Sequence, residues 1–162
     1  MCSSDLALAR RGFSHTLVSV SSDGTASLDA VLDAVTDETT LVCCQLANGE
    51  VGTRQDVAAI GKRLREKGIS FLVDASAAAG YVPLDADAWC ADLVVVAPRR
   101  FGGPRGVGGL FKRRQVVLEP LLVGGEQEFG LRPGEENGVA ILGAARAIAV
   151  WQAKREALVD RL

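Results

Sequence analysis

Short apolar runs alternate with helical stripes along this chain. Runs at 16–20 (TLVSV), 40–46 (TLVCCQL), 70–73 (SFLV), 93–97 (LVVVA) and 107–112 have the length and the turn-forming flanks of strands. Between the second and third, TRQDVAAIGKRLREKG places Val57, Ile60 and Leu64 on one helical face, with Asp56 as N-cap and Gly68 as the C-terminal stop. A shorter helix is expected over 27–36, after SSDGTAS. A long one is expected from Asn137 onward, through Val139, Leu142, Ala145, Ala149 and Trp151-Gln152. Strands alternating with helices predict an α/β fold with a mostly parallel sheet and flanking helices.

The chain has 162 residues, enough for one domain with a real core. Apolar residues make up 48% and charged residues 23%, which is globular rather than disordered composition. A net charge of −2 gives no electrostatic case for nucleic acid or an anionic membrane. No apolar stretch approaches the roughly 20 residues that span a bilayer, and no signal peptide pattern opens the chain, so a cytoplasmic location is expected. Cys2, Cys43, Cys44 and Cys90 lack metal spacing, and no metal is expected. Cys43 and Cys44, inside an apolar run, are expected to be buried packing residues rather than reactive thiols. His15, the single histidine, is read as structural.

Two features carry chemistry. Asp74 ends a short apolar strand, where side chains of parallel sheets face a ligand, although a strand-end aspartate can equally cap the next helix. In VVVAPRRFGGPRGVGGLF (94–111), a strand runs into Arg99 and Arg100 and then a glycine-rich loop, the composition of a backbone that must approach a ligand closely.

Four ordered stretches, QLANGEVGT (45–53), FLVDASAAAG (71–80), APRRFGGPRGVGGLF (97–111) and LEPLLVGGEQEFGLRPGEEN (118–137), resemble the large domain of the cysteine desulfurases, pyridoxal-phosphate enzymes of the class V aminotransferase family. The resemblance covers about residues 7–162 and implies part of the large domain of a fold type I pyridoxal-phosphate enzyme. It places Asp74 against the pyridine nitrogen of the cofactor and Asn48 near its phenolic oxygen, with Glu50 and Gly52 continuing that motif. Arg100 falls where the family has its Schiff-base lysine, Arg99 where it has a histidine, and Ala97 where it has a phosphate-binding serine. Gly49 stands for a second asparagine, Leu46 for a histidine, and Ala77 for a glutamine. In the 124–137 loop Gly124, Gly125, Gln127, Glu128, Arg132 and Gly134 match. Glu126, Pro133 and Glu135 depart, and Glu135 puts a carboxylate where a threonine would approach phosphate.

The change at Arg100 alters the chemistry. A Schiff base needs a neutral primary amine; a guanidinium stays protonated and is a poor nucleophile. Lys62, Lys67, Lys112 and Lys154 all read as lying away from the site. The cofactor implied is therefore pyridoxal phosphate, without covalent attachment, held by Asp74, Asn48, Arg99 and Arg100.

The leading expectation is a cysteine desulfurase-like segment that has lost Schiff-base catalysis. Its role would be noncatalytic, as one half of a homodimer or heterodimer joined through the 124–137 loop, or as a dock for a sulfur-acceptor protein. The alternatives are an enzyme that binds a small anion at Arg99, Arg100 and Asn48, and an active desulfurase with a displaced lysine. Residues 2–6, CSSDL, match the translation of a common sequencing-adapter string, so 1–6 are expected to be a non-native leader before a partial large domain at 7–162. An unpaired strand edge, and poor solubility with it, is also expected.

Overall fold

The computed structural model describes residues 3–160; Met1 and Cys2 of the expected leader, and residues 161–162, lie outside them. The helices are α1 (Ser3–Arg10), α2 (Leu28–Asp33), α3 (Val57–Glu66) and α4 (Gly138–Val159). The strands are β1 (Leu41–Gln45), β2 (Ser70–Asp74), β3 (Leu93–Val96) and β4 (Gly109–Lys112). Two 3-10 turns, Pro98–Phe101 and Gln127–Gly130, complete the elements.

The sheet runs β1-β2-β3-β4, with the first three strands parallel and β4 antiparallel to β3. Register pairs Leu41 with Ser70, Leu72 with Leu93, and Val96 with Gly109. The ladder extends past the strand ends: Leu46 N donates to Asp74 O (2.8 Å) and Ala75 N to Val95 O (2.9 Å). These two bonds fix the turns that leave β1 and β2.

Helix α3 begins as its sequence predicts, with the Asp56 carboxylate accepting from Ala59 N at 3.0 Å. Its Val57, Ile60, Leu64 stripe is buried against Phe71 and Val73 of β2, with Leu46, Trp89 and Val94 completing the cluster. Burying a side chain such as Phe71 contributes about 1.5–3 kcal/mol. One buried polar side chain ties a loop to this core. Gln55 donates to Gly24 O (2.8 Å) and accepts from Ala26 N (2.9 Å), so the 21–27 loop lies against the start of α3. In that loop Asp23 is held at about 2, well below the ordinary carboxylate range. The Ser21 hydroxyl contributes most, followed by the Thr25 hydroxyl and backbone N–H.

Two expectations need correction. The 16–20 run forms no strand: Leu17 and Val20 are exposed, only Val18 packs against the core, and no ladder partner stands beside it among the described residues. Apolar and β-branched composition favours extended backbone, but a strand exists only through its hydrogen-bonded neighbour. The second correction concerns Cys43, which is exposed: side chains alternate along β1, and Leu41, Cys43 and Gln45 share the exposed face. Cys44 points the other way and is partly buried, and burial, with Cys43 beside it, pushes its thiol up to about 11. Against an ordinary thiol at 9.0 this leaves about a hundredfold less thiolate at neutral pH. Iodoacetamide should therefore modify Cys44 far more slowly than a model thiol at pH 7.5, with a rate that climbs until about pH 11, as peptide mass spectrometry would record.

Candidate functional site

The carboxyl ends of β1, β2 and β3 lie side by side, and each feeds a turn that carries one part of the expected site. After β1, the 46–54 turn is closed by Asn48 N donating to Thr53 O and by an Ala47–Arg54 bridge. Asn48 Oδ1 accepts from Glu50 N (2.9 Å) and Val51 N (3.1 Å), while its amide reaches Gln45 Oε1 at 3.5 Å. The side chain is thus committed to shaping its own turn.

Asp74, the last residue of β2, is exposed, and its Oδ1 accepts from Ser76 N at 2.8 Å. The carboxylate thus caps the 75–80 turn rather than a helix, and stands exposed at the strand end. Ala77 lies in that turn, as does Gly80, which is packed against Phe101.

After β3, Ala97 leads into the 3-10 turn Pro98–Phe101, which buries Pro98 and Phe101 and leaves Arg99 and Arg100 exposed. Arg100 N donates to Ala97 O (2.9 Å), and Gly103 N to Pro98 O (2.9 Å). The main chain is therefore fixed, yet neither guanidinium forms an ion pair or hydrogen bond with another described residue. A Cβ placed on Gly49 would lie 3.5 Å from Ala77 Cβ and 4.0 Å from Arg100 Nη2. The three turns thus converge at the Arg100 side chain.

Helix α4 supports this corner from behind. Trp151 meets Tyr81 edge-on, with ring centroids 5.2 Å apart at 63°. Gly143 lies close to Pro104. A cleft of about 380 Å³ opens between Val82, Leu84, Phe101, Ile148, Trp151 and Arg155. The sequence pattern missed this packing. Its signal was the small-residue series Ala140, Ala144 and Ala147 ending at Trp151, four residues on one helical stripe.

An amine for pyridoxal phosphate is not at hand. The segments 46–56, 75–80 and 97–109, which make up the three turns, contain no lysine. Lys112 pairs with Leu93 at the opposite end of β3, and its Nζ donates to the carbonyls of Arg113 (3.2 Å) and Val116 (2.7 Å). Lys62 and Lys67 are exposed at and just beyond α3, and Lys154 is exposed on α4. His15 is exposed in the stretch between α1 and α2.

The 124–137 loop stands apart in character. Glu128 and Phe129 adopt left-handed backbone, at φ 50° and 58°, and Phe129 is 98% exposed. Val117, Leu121, Val123, Val139 and Leu142, within it or close to it in the sequence, are also exposed. Glu135, the residue expected to repel phosphate, is exposed as well.

Residues 4–151 match the Aminotransferase class-V family. Among curated relatives, a cysteine desulfurase from a Nostoc species is 39% identical over 140 residues, which is 86% of this chain and 35% of that protein. The cysteine desulfurase IscS of Clostridium botulinum is 38% identical over 141 residues, 87% of this chain and 36% of the relative. The chain thus spans little more than a third of the length of the curated relatives it matches. Among solved structures, a NifS-like protein superposes with a TM-score of 0.89 at 34% identity, covering 93% of this chain and 42% of that one. DndA from Streptomyces lividans gives 0.86 at 33% identity, covering 93% and 44%.

Proposed function

Because the chain belongs to the class V aminotransferase family, we propose that it is a cysteine desulfurase-like segment that keeps the large-domain fold, has lost Schiff-base catalysis and serves a noncatalytic role in dimerisation or sulfur-transfer docking. One observation carries this reading: Arg100 occupies the turn after β3, and no lysine stands in any of the three turns that meet there. A guanidinium stays protonated and supplies no nucleophilic nitrogen. Asp74 remains at the strand end with a carboxylate able to pair with a protonated ring nitrogen, so noncovalent recognition of part of the cofactor is retained in this reading.

The exposed apolar residues of 117–142 support the docking role. Val117, Leu121, Val123 and Phe129 are each at least 89% exposed, and such a group of apolar side chains is the composition of a contact surface. In this reading a second subunit or a sulfur-acceptor protein covers it.

A second reading is favoured by the unpaired state of Arg99 and Arg100. Two adjacent guanidiniums without protein carboxylates suit a small carboxylate or phosphate ligand, bound without covalent chemistry.

The test is an absorbance spectrum of the chain mixed with pyridoxal phosphate, beside an Arg100→Lys variant, followed by borohydride reduction and peptide mapping. The expected result is no site-specific adduct in the parental chain and a clear gain in the variant at position 100. A reducible adduct at one defined lysine of the parental chain would overturn the noncatalytic reading.

A further inference from the structure

Gly49, Ala77 and Arg100 come from three separate turns and meet at one point. We propose that Gly49 and Ala77 are positioning residues for Arg100: the absence of a side chain at 49 and of anything beyond a methyl at 77 seats the guanidinium across the turns that follow β1 and β2. The three positions then act as one unit.

The geometry supports this in two ways. A Cβ on Gly49 would make only ordinary contacts, at 3.5 Å to Ala77 Cβ and 4.0 Å to Arg100 Nη2. The contested space therefore begins with the next atoms, where an asparagine amide at 49 or a glutamine chain at 77 would extend. The Arg100 main chain is also anchored through Ala97 O while its guanidinium has no polar partner among the described residues. The guanidinium is exposed on one side and has the Gly49 turn on the other, so a longer side chain at 49 or 77 changes its immediate surroundings. Gly49 lies outside the left-handed backbone region, so a side chain there brings no backbone strain of its own.

The proposal goes beyond the loss of the amine and does not depend on a cofactor, so its test uses none. The 162-residue chain is treated with phenylglyoxal, and modification at Arg100 is measured by fragmentation mass spectrometry relative to Arg114, an exposed arginine past the end of β4. In the parental chain Arg100 should react more slowly than Arg114. Gly49→Asn and Ala77→Gln should each raise the ratio severalfold. The double variant should add little, since either change alone unseats the guanidinium, and Gly49→Ala should leave the ratio at its parental value. Far-UV circular dichroism establishes that each variant is folded. A parental ratio already at one, or a ratio unchanged in a folded double variant, would overturn the proposal. Because this ratio and the borohydride adduct are measured separately, failure of one reading leaves the other standing.

Discussion

Gly61→Ala is expected to destabilise the chain by about 3 kcal/mol, although the same change on an open helix surface stabilises by about 1 kcal/mol. The reason lies in how closely α3 approaches its neighbour. A Cβ on Gly61 would overlap the main-chain carbonyl oxygen of Trp89 and come within 3.0 Å of Phe71 Cδ1. Neither partner yields easily. Phe71 is fully buried, and the 85–92 turn is held by Trp89 N to Asp85 O (3.1 Å) and Ala91 N to Ala86 O (2.9 Å). The Arg113 guanidinium adds bonds to Ala86 O (3.0 Å) and Ala91 O (2.7 Å). The helix itself must therefore move, opening the Ile60 and Leu64 contacts. Urea denaturation followed by circular dichroism should show a strongly lowered midpoint; a midpoint at or above the parental one would mean that α3 stands farther from the sheet.

The second large effect is expected at Gly80, where two costs coincide. Its φ is 96°, which a Cβ disfavours, and that Cβ would lie 2.6 Å from Phe101 Cβ and 3.5 Å from Trp151 Cδ2. Together these amount to about 2–4 kcal/mol for Gly80→Ala. The consequence also reaches the site, because Phe101 is the residue after Arg100 and anchors the 3-10 turn that carries both arginines. Thermal unfolding should drop by several degrees. The tryptophan emission should shift as Trp151 is displaced from Tyr81. Unchanged emission in a folded variant would show that the 75–80 turn and α4 are not packed through Phe101.

Much of this was legible in the sequence, for identifiable reasons. Helix α3 announced itself because its cap, stripe and stop are all local. The three parallel strands were legible as short apolar runs. Asn48, Asp74 and Arg100 could be placed at adjacent strand ends because parallel strands bring their carboxyl ends together. What escaped was nonlocal. The 16–20 run has strand composition but no neighbour to pair with. On α4 the apolar residues Val139 and Leu142 stand exposed, while the smaller Ala140 and Ala144 are buried, and Gly143 between them lies so close to Pro104 that a Cβ there would come within 3.1 Å of its ring. The convergence of Gly49, Ala77 and Arg100 could not be read from positions so far apart in the chain.

The antiparallel pairing of β3 with β4 bears on the order in which the molecule assembles. Val96 meets Gly109 across a short connection, whereas Leu41 must find Ser70 and Leu72 must find Leu93 across longer ones. Loop-closure entropy rises with the length of chain enclosed, so this hairpin is the least demanding pairing in the sheet to nucleate. The segment bearing Arg99 and Arg100 is enclosed by that hairpin. Its backbone can therefore take shape early, while the Arg100 side chain finds its seat only once the turns after β1 and β2 arrive beside it.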